Sequence, residues 1–346
     1  MTVFLDAWAR ARAGTGSHVI PKSLIVAGIF GFLVVVVLVV DSGAAEVARA
    51  MLVLGWWLLP IALYRLVPLS LDAQAWRQLL PASSRPDVFS VIWMRWIRES
   101  VNALLPVAGV GGDIASARLV HRQGVPGAKA AAAMVVDITV GVATQLIFIL
   151  AGVTLLAVRS NAHAAVPVAW AMLTGIAVFV AAIATFVLVQ HNNMFVVFVR
   201  LARRIAPEKW VSGFTGGASA IDVAVVATYR RGFAVPRASL LRLVGWAASA
   251  GETWLVMHFL SRPFSVTDAF VLESLGSGVE LAAFMAPGAL GAREGGFVLF
   301  GALFGLPADI ALAISLTKRV RELGLGVPGL IVWQWVEGRH LMRRGA

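Results

Sequence analysis

The sequence has no cysteine, which excludes disulfides, thiolate nucleophiles and cysteine-held metal or iron–sulfur centres. Charge is scarce too. Asp, Glu, Lys and Arg make up only 14% of the 346 residues, against roughly 25% in an average soluble protein. The histidines are scattered at His18, His121, His163, His191, His258 and His340, without the spacing of a metal site. Gly109, Gly111 and Gly112 lack the lysine of a nucleotide-binding loop, and no Gly-x-Ser-x-Gly elbow is present. Neither a metal nor a cofactor is expected.

What is abundant is apolar surface. Hydrophobic residues make up 59% of the chain and the mean hydropathy is +0.84. A water-soluble fold could not cover that much apolar side chain, so the expected class is an all-α polytopic membrane protein. Runs long enough to cross about 30 Å of hydrocarbon occur at Leu24–Val40, Met51–Leu69, Ala130–Val158, Val166–Val189, Leu240–Leu260 and Ala308–Trp335. Residues 1–23 carry Arg10, Arg12 and Lys22 without a cleavage-site pattern, so the first run is expected to remain as a span. Trp56, Trp57, Trp93, Trp96, Trp333 and Trp335 lie near span ends, where interface anchors are expected.

The net charge of +11 would suggest nucleic acid in a soluble chain. Here it reads instead as the excess of Lys and Arg in cytoplasmic loops, and no nucleic-acid partner is expected. Segments 1–23, 70–129, 190–239 and 336–346 hold 20 Lys and Arg, whereas the alternate loops hold only Arg49, Arg159 and Arg262. Six crossings then place both termini in the cytoplasm. Phe195–Ile205 and Glu208–Arg231 read as surface helices attracted to anionic headgroups, or else as a docking site.

Two segments are too apolar for loops and too rich in Gly and Pro for plain spans. The first contains Asn102, Pro106, Gly109, Gly111, Gly112 and Asp113, followed by Arg118; the second contains Pro287, Gly288, Gly291, Arg293 and Glu294. Proline ends a helix, glycine allows a sharp turn, and a new helix starts near the acid with free N–H groups. Their placement predicts re-entrant hairpins over about 88–125 and 266–306, entering from opposite sides as in an inverted-repeat transporter. A single membrane domain is expected over 24–335, between an N-terminal segment 1–23 and a basic tail 336–346.

The last run carries Lys318, Arg319, Arg321 and Glu322 deep inside it. Four such charges cost on the order of 10–14 kcal/mol at a helix centre, so they must face a polar interior. Glu322 can pair along the helix with Lys318 or Arg319. One acid against three cations leaves about two positive charges for another partner. Asp137, Glu252, Glu273, Glu280 and Glu294 are the candidate acids, and an anionic ligand is expected at the surplus arginines.

With these blocks in view, the chain resembles the flippase-like transmembrane region of lysylphosphatidylglycerol synthases. Within that superfamily it is most similar to the stand-alone, hopanoid-biosynthesis-associated HpnL-type proteins. The likeness runs from the first span to the last; Pro287-Gly288…Gly291-x-Arg293-Glu294 is its most specific motif. Where the family often has Pro-Gly-Gly, this chain has Ala289. No aminoacyl-transferase domain is expected with it, so the resemblance implies the flippase-like role and not synthesis. It points to Asp113, Arg118, Arg293, Glu294 and Arg319 as site residues.

The leading expectation is an ATP-independent lipid translocase of the bacterial inner membrane. A hopanoid, polyprenyl-phosphate or phospholipid headgroup would meet Asp113, Arg118, Arg293, Glu294, Lys318, Arg319, Arg321 and Glu322. Buried carboxylates have raised pKa values, so Asp137, Glu252, Glu273, Glu280 and Glu294 are candidates for proton coupling. The alternatives are a membrane transferase acting on lipid in the same cavity, and a non-transporting partner of lipid-biosynthesis enzymes.

Overall fold

The computed structural model describes residues 44–105, 111–159, 215–283 and 291–345, with scattered helical positions between 174 and 190. The first run Leu24–Val40, the stretch Phe195–Ile205, and the turn residues Pro106, Gly109, Pro287 and Gly288 lie outside them, as does most of Val166–Val189. Among the described residues there is helix and no strand.

The chain runs through α1 (Ala44–Leu54), a 3₁₀ turn (Gly55–Trp57), α2 (Leu58–Tyr64) and α3 (Leu66–Leu79). Next come α4 (Val88–Leu104), α5 (Gly111–Arg122) and α6 (Gly127–Arg159). After α7 (Thr215–Tyr229) and α8 (Ala234–Phe259), the chain ends in α9 (Val266–Ala282), α10 (Ala292–Ala302) and α11 (Ala308–Gly345). Met51–Leu79 and Gly127–Val158 are long and apolar enough to cross a membrane.

The expected run Met51–Leu69 is thus too short. Helix continues to Leu79 because the polar residue that broke the pattern, Asp72, turns inward against Gly245. Likewise α11 continues as helix through the expected tail. Of Glu208–Arg231, the described part is not a surface helix: α7 packs on α6 and buries Asp222, Val225 and Thr228.

Two helical hairpins organise the fold. Helices α4, α5 and α6 have 17, 12 and 33 residues, and α9, α10 and α11 have 17, 11 and 38. In each set the first two helices pack together, and the third packs on the first arm of the other hairpin: α6 on α9, and α11 on α4. Helices α3 and α8, which lead into the two hairpins, lie side by side.

Contacts along α11 fix the directions. Ala311 meets Gly301 near the base of the second hairpin, and Arg319 meets Glu294 near its tip. Further on, Gly326 meets Leu104 at the tip of the first hairpin and Gly329 meets Ser100 one turn lower. The hairpins therefore approach from opposite ends of α11 with their tips facing. Apolar cores flank that meeting point: one around Trp76, Met94, Ile97 and Val136, the other around Met257, Leu272, Phe297 and Ile314.

Candidate functional site

Where the tips face each other lies a cavity of about 540 Å³. Eight cations line it, Lys318 and arginines 65, 95, 98, 242, 293, 319 and 321. Eight carboxylates line it too: Asp72, Glu99, Asp113, Asp137, Glu252, Glu273, Glu280 and Glu322. Charges this deep persist only if paired, and they are.

On the side of the first hairpin, fully buried Asp137 of α6 is the hub. Arg242 Nη2 of α8 reaches both its oxygens at 2.8 Å. Arg98 donates to it as well, and Arg95 Nη1 lies at 3.4 Å. Asp72 joins Arg95 (3.2 Å) to Arg242 (3.0 Å). Arg98 also holds Asp113, and Glu99 links Arg95 to Arg65 at 3.5 and 3.1 Å.

The local chain prepares these positions. Gly112 at the start of α5 sits so close to α4 that a Cβ there would overlap the Arg98 carbonyl and the Asn102 side chain. Its N–H instead donates to Asn102 Oδ1 at 2.7 Å. That contact closes the hairpin tip and brings Asp113, one residue on, to Arg98.

On the side of the second hairpin the hub is Glu322 of α11. It accepts from Arg293 and from Arg319 Nη1 at 3.1 Å, and Arg321 Nη2 lies at 3.7 Å. Arg293 also pairs with Glu280, Lys318 with Glu273 at 2.5 Å, and Arg321 Nε with Glu252 at 2.8 Å. Fully buried Glu294 lies just behind the wall. One oxygen accepts the Gly291 N–H at 2.8 Å and the other meets Arg319 Nε at 3.0 Å. Gly291, with φ +78°, makes the left-handed turn that starts α10. Glu294 therefore ties the helix start to α11.

The structure brings together most of the residues expected from sequence, but with a different charge balance. The surplus of about two cations does not exist: Lys318 pairs with Glu273, Arg319 with Glu294, Arg321 with Glu252 and the added Arg293 with Glu280, and Glu322 cross-links the three arginines. Asp137 serves the other cluster. Arg118, half-buried on α5, is not among the lining residues.

Six of the sixteen charged lining residues, Arg65, Asp72, Arg95, Arg98, Glu99 and Arg242, are absent from the sequence expectations. Arg95 and Arg98, in a segment expected to be a cytoplasmic loop, are both buried against Asp137, and the cytoplasmic tally of 20 shrinks accordingly. Arg65 and Arg242 sit singly in apolar runs. Trp96, expected as a rim anchor, lines the cavity and donates to the Leu325 carbonyl at 2.8 Å. The lone Asp137 in an apolar span was the available signal, since such an acid demands cations from other helices.

Not every donor is used. The Nε atoms of Arg65 and Arg242 are buried without a hydrogen-bond partner. A polar group entering the cavity would find donors and acceptors of both signs.

Residues 23–329 match the family model described as the lysylphosphatidylglycerol synthase TM region. The match covers most of the chain, which belongs to this family of integral membrane proteins. No curated protein and no solved structure matches it.

Proposed function

We propose that the protein is a lipid translocase, which takes a polar headgroup into the cavity between the hairpin tips while the acyl or isoprenoid tail stays in the bilayer. The observation that carries this reading is the pair of hubs: Asp137 and Glu322 each gather three arginines across one cavity. Guanidinium groups that converge on a carboxylate can exchange it for a phosphate with little rearrangement, because their fork matches either group. Glu322 is the more accessible hub and the first to yield.

In this reading the hairpins are re-entrant and enter from opposite faces of the bacterial inner membrane, with both termini cytoplasmic. The headgroup passes from one hub to the other, and ion pairs close behind it. The substrate class is a phospholipid, a polyprenyl phosphate or a hopanoid with a polar head, moved without ATP. Arg319 and Arg293 hold the headgroup; Glu294 positions Arg319.

The test is translocation of labelled lipid in vesicles containing the purified protein. Arg319→Ala and Glu322→Gln slow movement in this reading. Mass spectrometry of the same lipids separates it from a transferase, which would leave a changed covalent structure.

A further inference from the structure

Three arginines at the foot of the first hairpin lie close together without an acid between them. Arg77 is in the last turn of α3, Arg85 in the loop leading to α4, and Arg231 in the turn between α7 and α8. Arg85 Nη2 donates to the carbonyls of Gln78 (3.3 Å) and Leu80 (3.2 Å). Arg77 Nε donates to the Pro86 carbonyl at 2.9 Å. Arg231 donates to the Leu79 carbonyl at 3.0 Å and to Thr228 Oγ1 at 2.9 Å.

Every one of those acceptors is neutral. Among the described residues no carboxylate pairs with any of the three. Burial first, then repulsion from Arg77 and Arg231, push the Arg85 guanidinium below its ordinary range. Its Nε is shut off from solvent with no hydrogen-bond partner. Arg230, next in the chain, is exposed beside the cluster.

Carbonyls hold these guanidinium groups in place but do not neutralise them, and each keeps N–H groups to spare. A phosphate oxyanion supplies the missing negative charge and accepts from the spare guanidinium N–H groups. We propose that Arg77, Arg85 and Arg231 form a binding site for one phosphate group, that of an anionic lipid headgroup or of free phosphate. Occupied, it braces the loop before the first hairpin against the turn that starts α8. The site is separate from the cavity and does not depend on translocation.

The test uses the full chain in phosphatidylcholine nanodiscs and reads its melting temperature by tryptophan fluorescence. Two probes are added separately: phosphatidylglycerol in the nanodisc, and inorganic phosphate in solution. The expected result is a rise of about 4 °C for the wild type, absent in Arg85→Gln and Arg231→Gln. Arg262→Gln, at the far end of α8, should keep the full rise, and Arg85→Lys, with charge but no fork, part of it. A rise with phosphatidylglycerol alone assigns the lipid source; a rise with inorganic phosphate assigns the free ion. Arg77→Gln, which leaves the other carbonyl contacts intact, gives the same reading should Arg85→Gln fail to fold. No rise with either probe, or equal rises in wild type and Arg85→Gln, overturns the proposal.

Discussion

Asp137 and Glu322 play the same part in the two halves of the molecule. Each is a carboxylate on the third helix of its set, and each draws in three arginines from surrounding elements. By position, a different pair corresponds. Arg95 and Glu273 are both eighth in the first arm of their hairpins, and Asp137 and Lys318 are both eleventh in the third helix. Arg95 reaches Asp137, and Glu273 reaches Lys318. The pairing is kept while the signs are exchanged.

That exchange predicts strong coupling between Glu273 and Lys318. Removing one member leaves an uncompensated buried charge, which costs about 3–5 kcal/mol. Glu273→Gln and Lys318→Met should each lower stability in a detergent unfolding series by that order, and the double variant should recover most of the loss. Additive losses would contradict the pairing.

Asp137 should be the least replaceable acid of the first cluster. Asp137→Asn takes one carboxylate partner from each of three arginines, leaving them only Asp72, Glu99 and Asp113, whereas Asp113→Asn affects Arg98 alone. The expected order of folded yield is wild type, then Asp113→Asn, then Asp137→Asn, read by size-exclusion chromatography. Equal yields for the two variants would be incompatible with a three-arginine hub.

Close helix approach gives a third expectation. A Cβ on Gly329 would overlap the Ser100 hydroxyl, so Gly329→Ala forces α11 away from α4; Ser100→Gly in the same chain should restore much of the melting temperature. At Gly278 the nearest atom to a Cβ would be 3.7 Å away. Gly278→Ala should be neutral or gain up to about 1 kcal/mol from helix propensity.

The foot of the first hairpin gives a pH dependence. Asp87 caps α4, and Ser90, through its hydroxyl and then its backbone N–H at 3.0 Å, holds the Asp87 carboxyl below its ordinary range. A depressed carboxylate contributes stability above its unfolded pKa and loses it as pH falls through the folded value. Melting temperature should therefore fall less steeply with acid in Asp87→Asn than in the wild type, because the variant keeps a neutral cap.

The hairpins and the second cluster were legible in the sequence because each leaves a local mark. Proline and glycine interrupt apolar stretches before Asp113 and Glu294, and four charges sit together within one apolar run at 318–322. The first cluster leaves less: Asp113 and the lone Asp137 mark its acids, but nothing local marks its cations. Arg65 and Arg242 are single interruptions, and Arg95, Arg98 and Glu99 stand in a segment polar enough to pass for a loop. Asp137 meets its arginines across 39 to 105 residues of chain. Such long-range pairing also removed the expected cation surplus, which counted charges along one helix while the balancing acids came from α8, α9 and α10.

In the proposed mechanism a headgroup crosses by displacing carboxylates from the arginine hubs. The most direct measurement is the rate at which labelled lipid changes leaflet in vesicles holding equal amounts of folded wild type, Arg319→Ala, Glu322→Gln and Arg262→Gln. Wild type and Arg262→Gln should move lipid rapidly, the two hub variants about tenfold more slowly or worse, and the lipid should be recovered chemically unchanged. Equal rates in all four, or no movement above empty vesicles across phospholipid, polyprenyl-phosphate and hopanoid probes, would contradict it.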